Sequence, residues 1–176
     1  MFSATMKRKI ETFAREILKN EIKIVVGRLG QSNTDIQQQV QLFTQPDEKL
    51  IWLKKNIDLF AADGKVLIFV LSKIDTEMIT EQLKAYFRYR QLEISIDFLH
   101  GDIEQTCRTH IIQRFSRVLE HSHSLHILVA TDIASRGLDV KNVRTVINSD
   151  IAKNIETYVH RIGRTGRMGI EGVAPG

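Results

Sequence analysis

Four basic side chains, His160, Arg161, Arg164 and Arg167, fall within eight residues of one another in the string YVHRIGRTGRMG. No acidic residue lies between Glu156 and Glu171, and Gly163, Gly166 and Gly169 interleave with the arginines. A glycine inside a helix costs roughly 1 kcal/mol against alanine. Three of them therefore predict a helix that ends into a tight loop, with arginines projecting from it. Arginine offers a planar fork of donors that grips phosphate through two hydrogen bonds at once. The chemistry implied is the binding of a polyphosphate or a nucleic-acid backbone. The alternatives are a basic surface patch or ion pairs within the chain.

Two further segments carry the same kind of chemistry. In HGDIEQTCR, residues 100–108, Gly101 can bring backbone N–H groups close to an anion, and the helix that follows adds its positive end. A simple glycine turn, with Asp102 capping that helix, explains the same residues. In ATDIASRGLDV, residues 130–140, Thr131 offers a hydroxyl to a phosphate or caps a short helix. Gly137 permits a turn with positive φ. Asp139 can accept hydrogen bonds from the vicinal hydroxyls of a sugar, or pair with Arg136 or Lys141.

Alternating helices and strands must position these segments. Apolar residues at helical spacing (Met6, Ile10, Phe13, Ala14, Ile17, Leu18) predict an amphipathic helix over residues 5–19, with Lys19 and Asn20 at its end. IKIVV, residues 22–26, reads as a strand, and GRLGQSNTD as a linker. Helices are expected over 47–60, about 74–89, about 104–119 and 155–161, with Asp63 and Gly64 in a turn. The runs KVLIFV (65–70), ISIDFL (94–99), HILVA (126–130) and VRTVIN (143–148) read as strands. KVLIFV is continuously apolar, as a strand covered on both faces is. The strand centres are 29, 32 and 18 residues apart, room for parallel crossovers. The expected fold class is α/β, a mostly parallel central sheet flanked by helices with right-handed connections. Ligands of such sheets bind at the carboxyl ends of the strands. After the four strands come Ser72-Lys73, His100-Gly101-Asp102, Thr131-Asp132 and Ser149-Asp150, so the candidate residues gather along one edge.

Composition narrows the classes. Apolar residues make up 43% and charged residues 26% of 176, which are globular proportions. The 25 basic against 21 acidic residues leave a net charge of +4, which permits a nucleic-acid partner without requiring one. Cys107 is the only cysteine, so neither an internal disulfide nor a polycysteine zinc site can form. No apolar run approaches the roughly 20 residues of a membrane span, and the first residues lack a signal-peptide core. The expectation is an intracellular protein, nuclear or cytoplasmic, with no membrane partner.

The order and spacing of SAT (Ser3, Ala4, Thr5), LIFV, HGD with QTCR, TDIASRGLDV and HRIGRTGR resemble the C-terminal half of DEAD-box ATP-dependent RNA helicases across essentially the whole chain. The resemblance implies a three-layer RecA-like domain. Residues 1–30 would be the tail of a first helicase domain plus linker, and residues 31–176 a second domain truncated at its C-terminal end. Ser3, Ala4 and Thr5 would couple ATP hydrolysis to strand separation. Ser72 and Lys73, Gly101 and Asp102, Gln105 and Arg108, and Thr131 would contact the RNA backbone or brace the groups that do. Gly137 and Asp139 would meet the nucleotide, Asp139 at the ribose. Asp132 would help hold the closed interface, and His160 and Arg161 would contact the first domain. Arg164 and Arg167 would be arginine fingers on the β- and γ-phosphates, a role worth about 10³–10⁵ in rate in other NTPases.

The chain departs from the family pattern at Ser149, where an aromatic residue is common, at Ile151-Ala152 in place of Leu-Pro, and at Ser135 in place of alanine. It contains no GxxxxGK[ST] phosphate loop and no DEAD tetrapeptide. The resemblance therefore implies ATP with Mg²⁺ in a full-length RNA-dependent ATPase, with no cofactor held tightly by this chain and no turnover by it alone. Its partners would be RNA, through the backbone and without sequence preference, and the first RecA-like domain. The alternatives are a non-catalytic RNA- or regulator-binding module, or a DNA helicase of the same superfamily. Without a first domain, the stripe Ile10, Phe13, Ile17 and Leu18 lacks a native burial site, so a monomer able to self-associate through residues 6–18 is expected.

Overall fold

The structure, a computed structural model, describes residues 8–20, 22, 24, 36–62, 64–116, 125–135, 143–166 and 172–175. Six strands and six helices occur among them: α1 (Arg8–Ile17), β1 (Ile36–Gln39), α2 (Pro46–Ala62), β2 (Lys65–Val70), α3 (Lys73–Tyr89), β3 (Ile94–Leu99), α4 (Gln105–Ser116), β4 (Leu125–Thr131), α5 (Asp132–Ser135), β5 (Val143–Asn148), α6 (Ile155–Ile162) and β6 (Gly172–Pro175). The strands form one sheet in the order β1-β6-β5-β2-β4-β3, and every pairing is parallel.

β2 lies between β4 and β5 and is buried along its whole length. Its side chains alternate between two cores, as the two-residue period of a strand requires. Val66, Ile68 and Val70 join Leu53 and Ile57 of α2 and Ile79, Leu83 and Phe87 of α3 on one face. Leu67 and Phe69 join Phe115 of α4 and Ala134 of α5 on the other. The result is the three-layer α/β arrangement, with each large apolar side chain stabilising the fold by about 1.5–3 kcal/mol on burial. A small third cluster, Ile36 of β1 with Ile162 of α6 and Tyr158 against them, closes the far edge. There the Tyr158 hydroxyl donates to Gln38 Oε1 at 2.6 Å.

Local chemistry sets the element ends. Pro46 opens α2, where its missing N–H is no loss. Ser72 caps α3 and Asn154 caps α6 through side-chain oxygens. Gly64, at φ +143°, turns the chain from α2 into β2 with its N–H on Ala61 O at 3.2 Å; Asp63, the other half of that expected turn, lies outside the described residues.

One expected strand differs, and two strands arise where no element was expected. Ile22 and Ile24, expected in a strand, belong to none and are 87% and 82% exposed, with no covering sheet neighbour among the described residues; Lys23, Val25 and Val26 of that run lie outside them. Ile36–Gln39, next to the segment read as linker, is a strand. So is Gly172–Pro175, and the two pair with each other. Helix α1 forms as expected, and its stripe is uncovered: Ile10, Phe13, Ile17 and Leu18 are all exposed, while Ala14 is buried.

Candidate functional site

Because every strand runs the same way, the segments after β2, β3, β4 and β5 all emerge along one edge of the sheet. That edge holds Ser72 and Lys73, Gly101 and Asp102, Thr131 and Asp132, and Ser149 and Asp150. Register fixes the order, with Val70 opposite Thr131 and Phe69 opposite Asn148.

Arg161 organises the middle of this edge. It projects from the last turn of α6, yet only 1% of it is exposed. Its Nε donates to Asp132 Oδ1 at 2.6 Å and its Nη2 to Asp132 Oδ2 at 2.9 Å. Its Nη1 donates to Asn148 Oδ1 at 3.1 Å and to the Asp150 carbonyl at 2.6 Å. The guanidinium also lies 5.1 Å from the ring centre of Phe69. One side chain thus ties together the ends of β4, β5 and β2. Such a buried charge is tolerable only because its donors are paired. Arg161 therefore forms an ion pair within the chain, the alternative that the arginine spacing left open, and its partner Asp132 is half-buried. His160, the preceding residue, is exposed.

Asp150, one of the polar residues expected after the strands, is a second node of this edge. Its Oδ1 accepts from Lys49 Nζ of α2 at 2.7 Å and its Oδ2 from the Leu71 backbone N–H at 3.0 Å. Lys49 also donates to the Ser149 carbonyl at 3.0 Å, so the segment where this chain departs from the family pattern is clamped to α2. No local signal announces the pair, since 101 residues separate Lys49 from Asp150.

Lys73 and Asp102 meet side chain to side chain, across the gap between the start of α3 and the turn after β3. The hydrogen-bonded carboxylate holds the Lys73 ammonium above its ordinary range, and the ammonium holds Asp102 below its own. Ser72 Oγ accepts from the Asp75 N–H at 3.0 Å and donates to Asp75 Oδ2 at 2.6 Å, so its hydroxyl serves as the helix cap. His100 is 5% exposed and stacks on Phe98. Its Nδ1 accepts from the Asp102 N–H at 3.3 Å and its Nε2 faces Glu77 Oε1 at 3.0 Å, which fixes the tautomer with the proton on Nε2. Gly101 has open space where a Cβ would stand and is not at positive φ, so nothing in the chain's own packing demands a glycine there.

Gln105 is exposed at the first residue of α4. Arg108, one turn on, donates from Nη2 to the carbonyl of Ala134 in α5. Arg108 therefore braces the segment after β4. Thr131 is buried at the end of that strand. Arg164 is half-buried in the turn after α6, its N–H on the Arg161 carbonyl at 3.1 Å. Thr165 Oγ1 bonds the Arg144 carbonyl at 2.9 Å, and Gly166, at φ +65°, completes the glycine-bearing loop expected after the helix. Ser3, Ala4, Thr5, Gly137, Asp139 and Arg167 lie outside the described residues, as does the Asp139 alternative with Arg136 or Lys141. Among the described residues no group of three or more His, Cys, Asp or Glu side chains could hold a metal ion, and no described helix is long and apolar enough to cross a membrane.

The sheet is all-parallel with helices on both faces, and the family described as "Helicase conserved C-terminal domain" matches residues 48–169. The chain is 42% identical over 174 residues to "ATP-dependent RNA helicase DDX42" of Gallus gallus, covering 99% of this chain and 17% of that protein. It is 43% identical over 169 residues to "DEAD-box ATP-dependent RNA helicase 24" of Oryza sativa subsp. japonica, covering 96% and 20%. Saccharomyces cerevisiae Dbp5, solved with RNA and ADP BeF3, superposes with a TM-score of 0.77 at 28% identity, over 99% of this chain and 43% of that one. The chain belongs to the helicase conserved C-terminal domain family and has the RecA-like fold of DEAD-box helicase domains. It spans about a fifth or less of the length of these curated relatives.

Proposed function

We propose that this chain supplies the second-domain half of an RNA-dependent ATPase: a surface for the RNA backbone and an arginine finger for a nucleotide held mainly by a first domain. The observation that carries the reading is the gathering of Lys73, Gly101, Gln105, Arg108 and Thr131 on one sheet edge, with Arg164 in the turn beyond α6. Cations, a hydroxyl and an uncrowded glycine suit phosphates better than base edges, so sequence-independent binding follows. The Dbp5 structure supports the reading, because that protein, of the same fold, is bound to RNA and ADP BeF3.

Residues 1–30 are assigned to the end of the first domain, and 31–176 to the second. The exposed stripe of α1 supports that division, and in a lone copy it offers a surface for self-association. ATP fits the donor set: Arg164 supplies a cation with the planar donors a phosphate accepts, Arg167 a second, and Gly137 and Asp139 would meet the nucleoside. When bound, ATP supplies the phosphoryl group whose transfer is accelerated by positioning and charge stabilisation. This chain's part is to hold cations where negative charge builds up. Arg161 and Asp132 act by fixing α6 relative to β4, which sets where Arg164 and His160 stand. Mg²⁺ and the phosphate cradle are assigned to the first domain, since neither a GxxxxGK[ST] loop nor a DEAD tetrapeptide occurs in these 176 residues. The same observation favours, for the chain by itself, a binding module without turnover.

The test is binding of short fluorescent RNAs of different sequence to this chain, followed by anisotropy across salt. Similar affinities that fall together as salt rises from about 50 to 200 mM support the reading. Salt-independent or strongly sequence-selective binding refutes it.

A further inference from the structure

The family resemblance assigns both Lys73 and Asp102 to RNA, yet an ammonium and a carboxylate cannot both favour a phosphate. We propose that Asp102 is an electrostatic latch: in the free domain it occupies the Lys73 ammonium, and RNA binds by displacing it. The inference rests on the reading of this edge as an RNA surface.

Two features lift this pair above an incidental surface contact. Both backbones are held. Lys73 is the first residue of a helix capped by Ser72, and the Asp102 N–H is fixed on Nδ1 of the buried, stacked His100, whose other nitrogen faces Glu77. Both charged ends remain in solvent, with side-chain exposures of 58% and 62%, so an incoming phosphate can reach them. Next to Asp102 in the chain, Gly101 leaves open the space a side chain would fill. A phosphate arriving there meets one cation and one anion, the two already satisfying each other. Exposed ion pairs are weak and screened by salt, so the latch opens readily and its effect on affinity is modest.

The experiment measures the affinity of this chain for fluorescein-labelled oligouridine at low salt. Asp102→Asn keeps the side chain's shape and the backbone bond to His100 while removing the charge. It is expected to tighten binding about two- to fivefold, the scale of an exposed ion pair. Lys73→Met should weaken binding, and in that background Asp102→Asn should recover less than half of its effect. Glu93→Gln, which removes a carboxylate before β3 at the opposite end of the sheet, serves as the control for net charge. Tightening in Asp102→Asn beyond that of Glu93→Gln, dependent on Lys73, is the predicted result. No tightening, a loss of affinity, or an effect matched by Glu93→Gln overturns the latch while leaving the RNA surface intact. Wild-type chain that fails to bind oligouridine in a salt-dependent way overturns the RNA surface and the latch together.

Discussion

Arg161 and Asp132, 29 residues apart, meet through two side-by-side hydrogen bonds of 2.6 and 2.9 Å, with the arginine 99% removed from solvent. The most arginine-rich segment of the chain thus contains one arginine that faces inward and holds the sheet edge together. Replacing it with alanine leaves Asp132 half-buried without its counter-ion and strands the Asn148 and Asp150 oxygens. Breaking a buried pair costs roughly 3–5 kcal/mol, and the partial exposure of Asp132 brings the expectation to about 2–3 kcal/mol. Urea unfolding of Arg161→Ala should show that loss. Arg161→Lys should recover only part of it, because one ammonium cannot make the paired contact. A loss under about 0.5 kcal/mol would mean that the network is dispensable.

Ser72 is a helix cap, whatever else it does. Ser72→Ala should cost about 1 kcal/mol of stability, measured by the same unfolding curve. Ser72→Asp should retain most of it, since aspartate caps as well as serine. Equal losses from both would point away from capping.

His126, at the start of β4 beside Lys65, is held below its ordinary pKa of 6.5, first by burial and then by the Lys65 charge, with Asp97 opposing. The folded state therefore takes up this proton less readily than the unfolded chain. Stability is full above about pH 6.5 and falls as pH drops through 6.5 toward the lowered folded value. Unfolding free energy measured across that window should decline more steeply for the wild type than for His126→Asn. Parallel slopes would remove His126 as the cause.

Arg108 braces the Ala134 carbonyl and Thr131 ends the strand beside it. Loss of a charge-assisted hydrogen bond is worth roughly tenfold in an equilibrium. Arg108→Ala and Thr131→Val should each weaken RNA binding by up to about tenfold, and by the same factor for oligouridine and for mixed sequences. A loss confined to one sequence would count against backbone recognition.

Much of the fold was legible because its strands are local and apolar. KVLIFV, ISIDFL and VRTVIN became β2, β3 and β5 at the same residues. Where the pattern was weak, pairing over long distances decided the structure. IQQQ of β1 has one buried residue in four, and β6 carries glycine and proline, so neither advertises a strand until each finds the other. Ile22 and Ile24 of IKIVV lie in no strand, because apolar residues alone do not make a strand without a neighbour to pair with. The site was legible as a set of edge residues, since parallel strands deliver their carboxyl ends together. What could not be read was which charges cancel. Arg161 with Asp132 and Lys73 with Asp102 are each 29 residues apart, and Lys49 with Asp150 is 101. A basic cluster looks the same in sequence whether its arginines face a ligand or an aspartate brought in by the fold.

The most direct measurement is ATP turnover, with and without RNA, by this chain alone and after mixing with the matching first RecA-like domain. The account predicts silence from the chain alone, RNA-stimulated turnover on mixing, and a fall on the order of 10³-fold or more when the mixture carries Arg164→Ala, with RNA affinity little changed. Turnover by the chain alone, or an undiminished rate in Arg164→Ala, would contradict it.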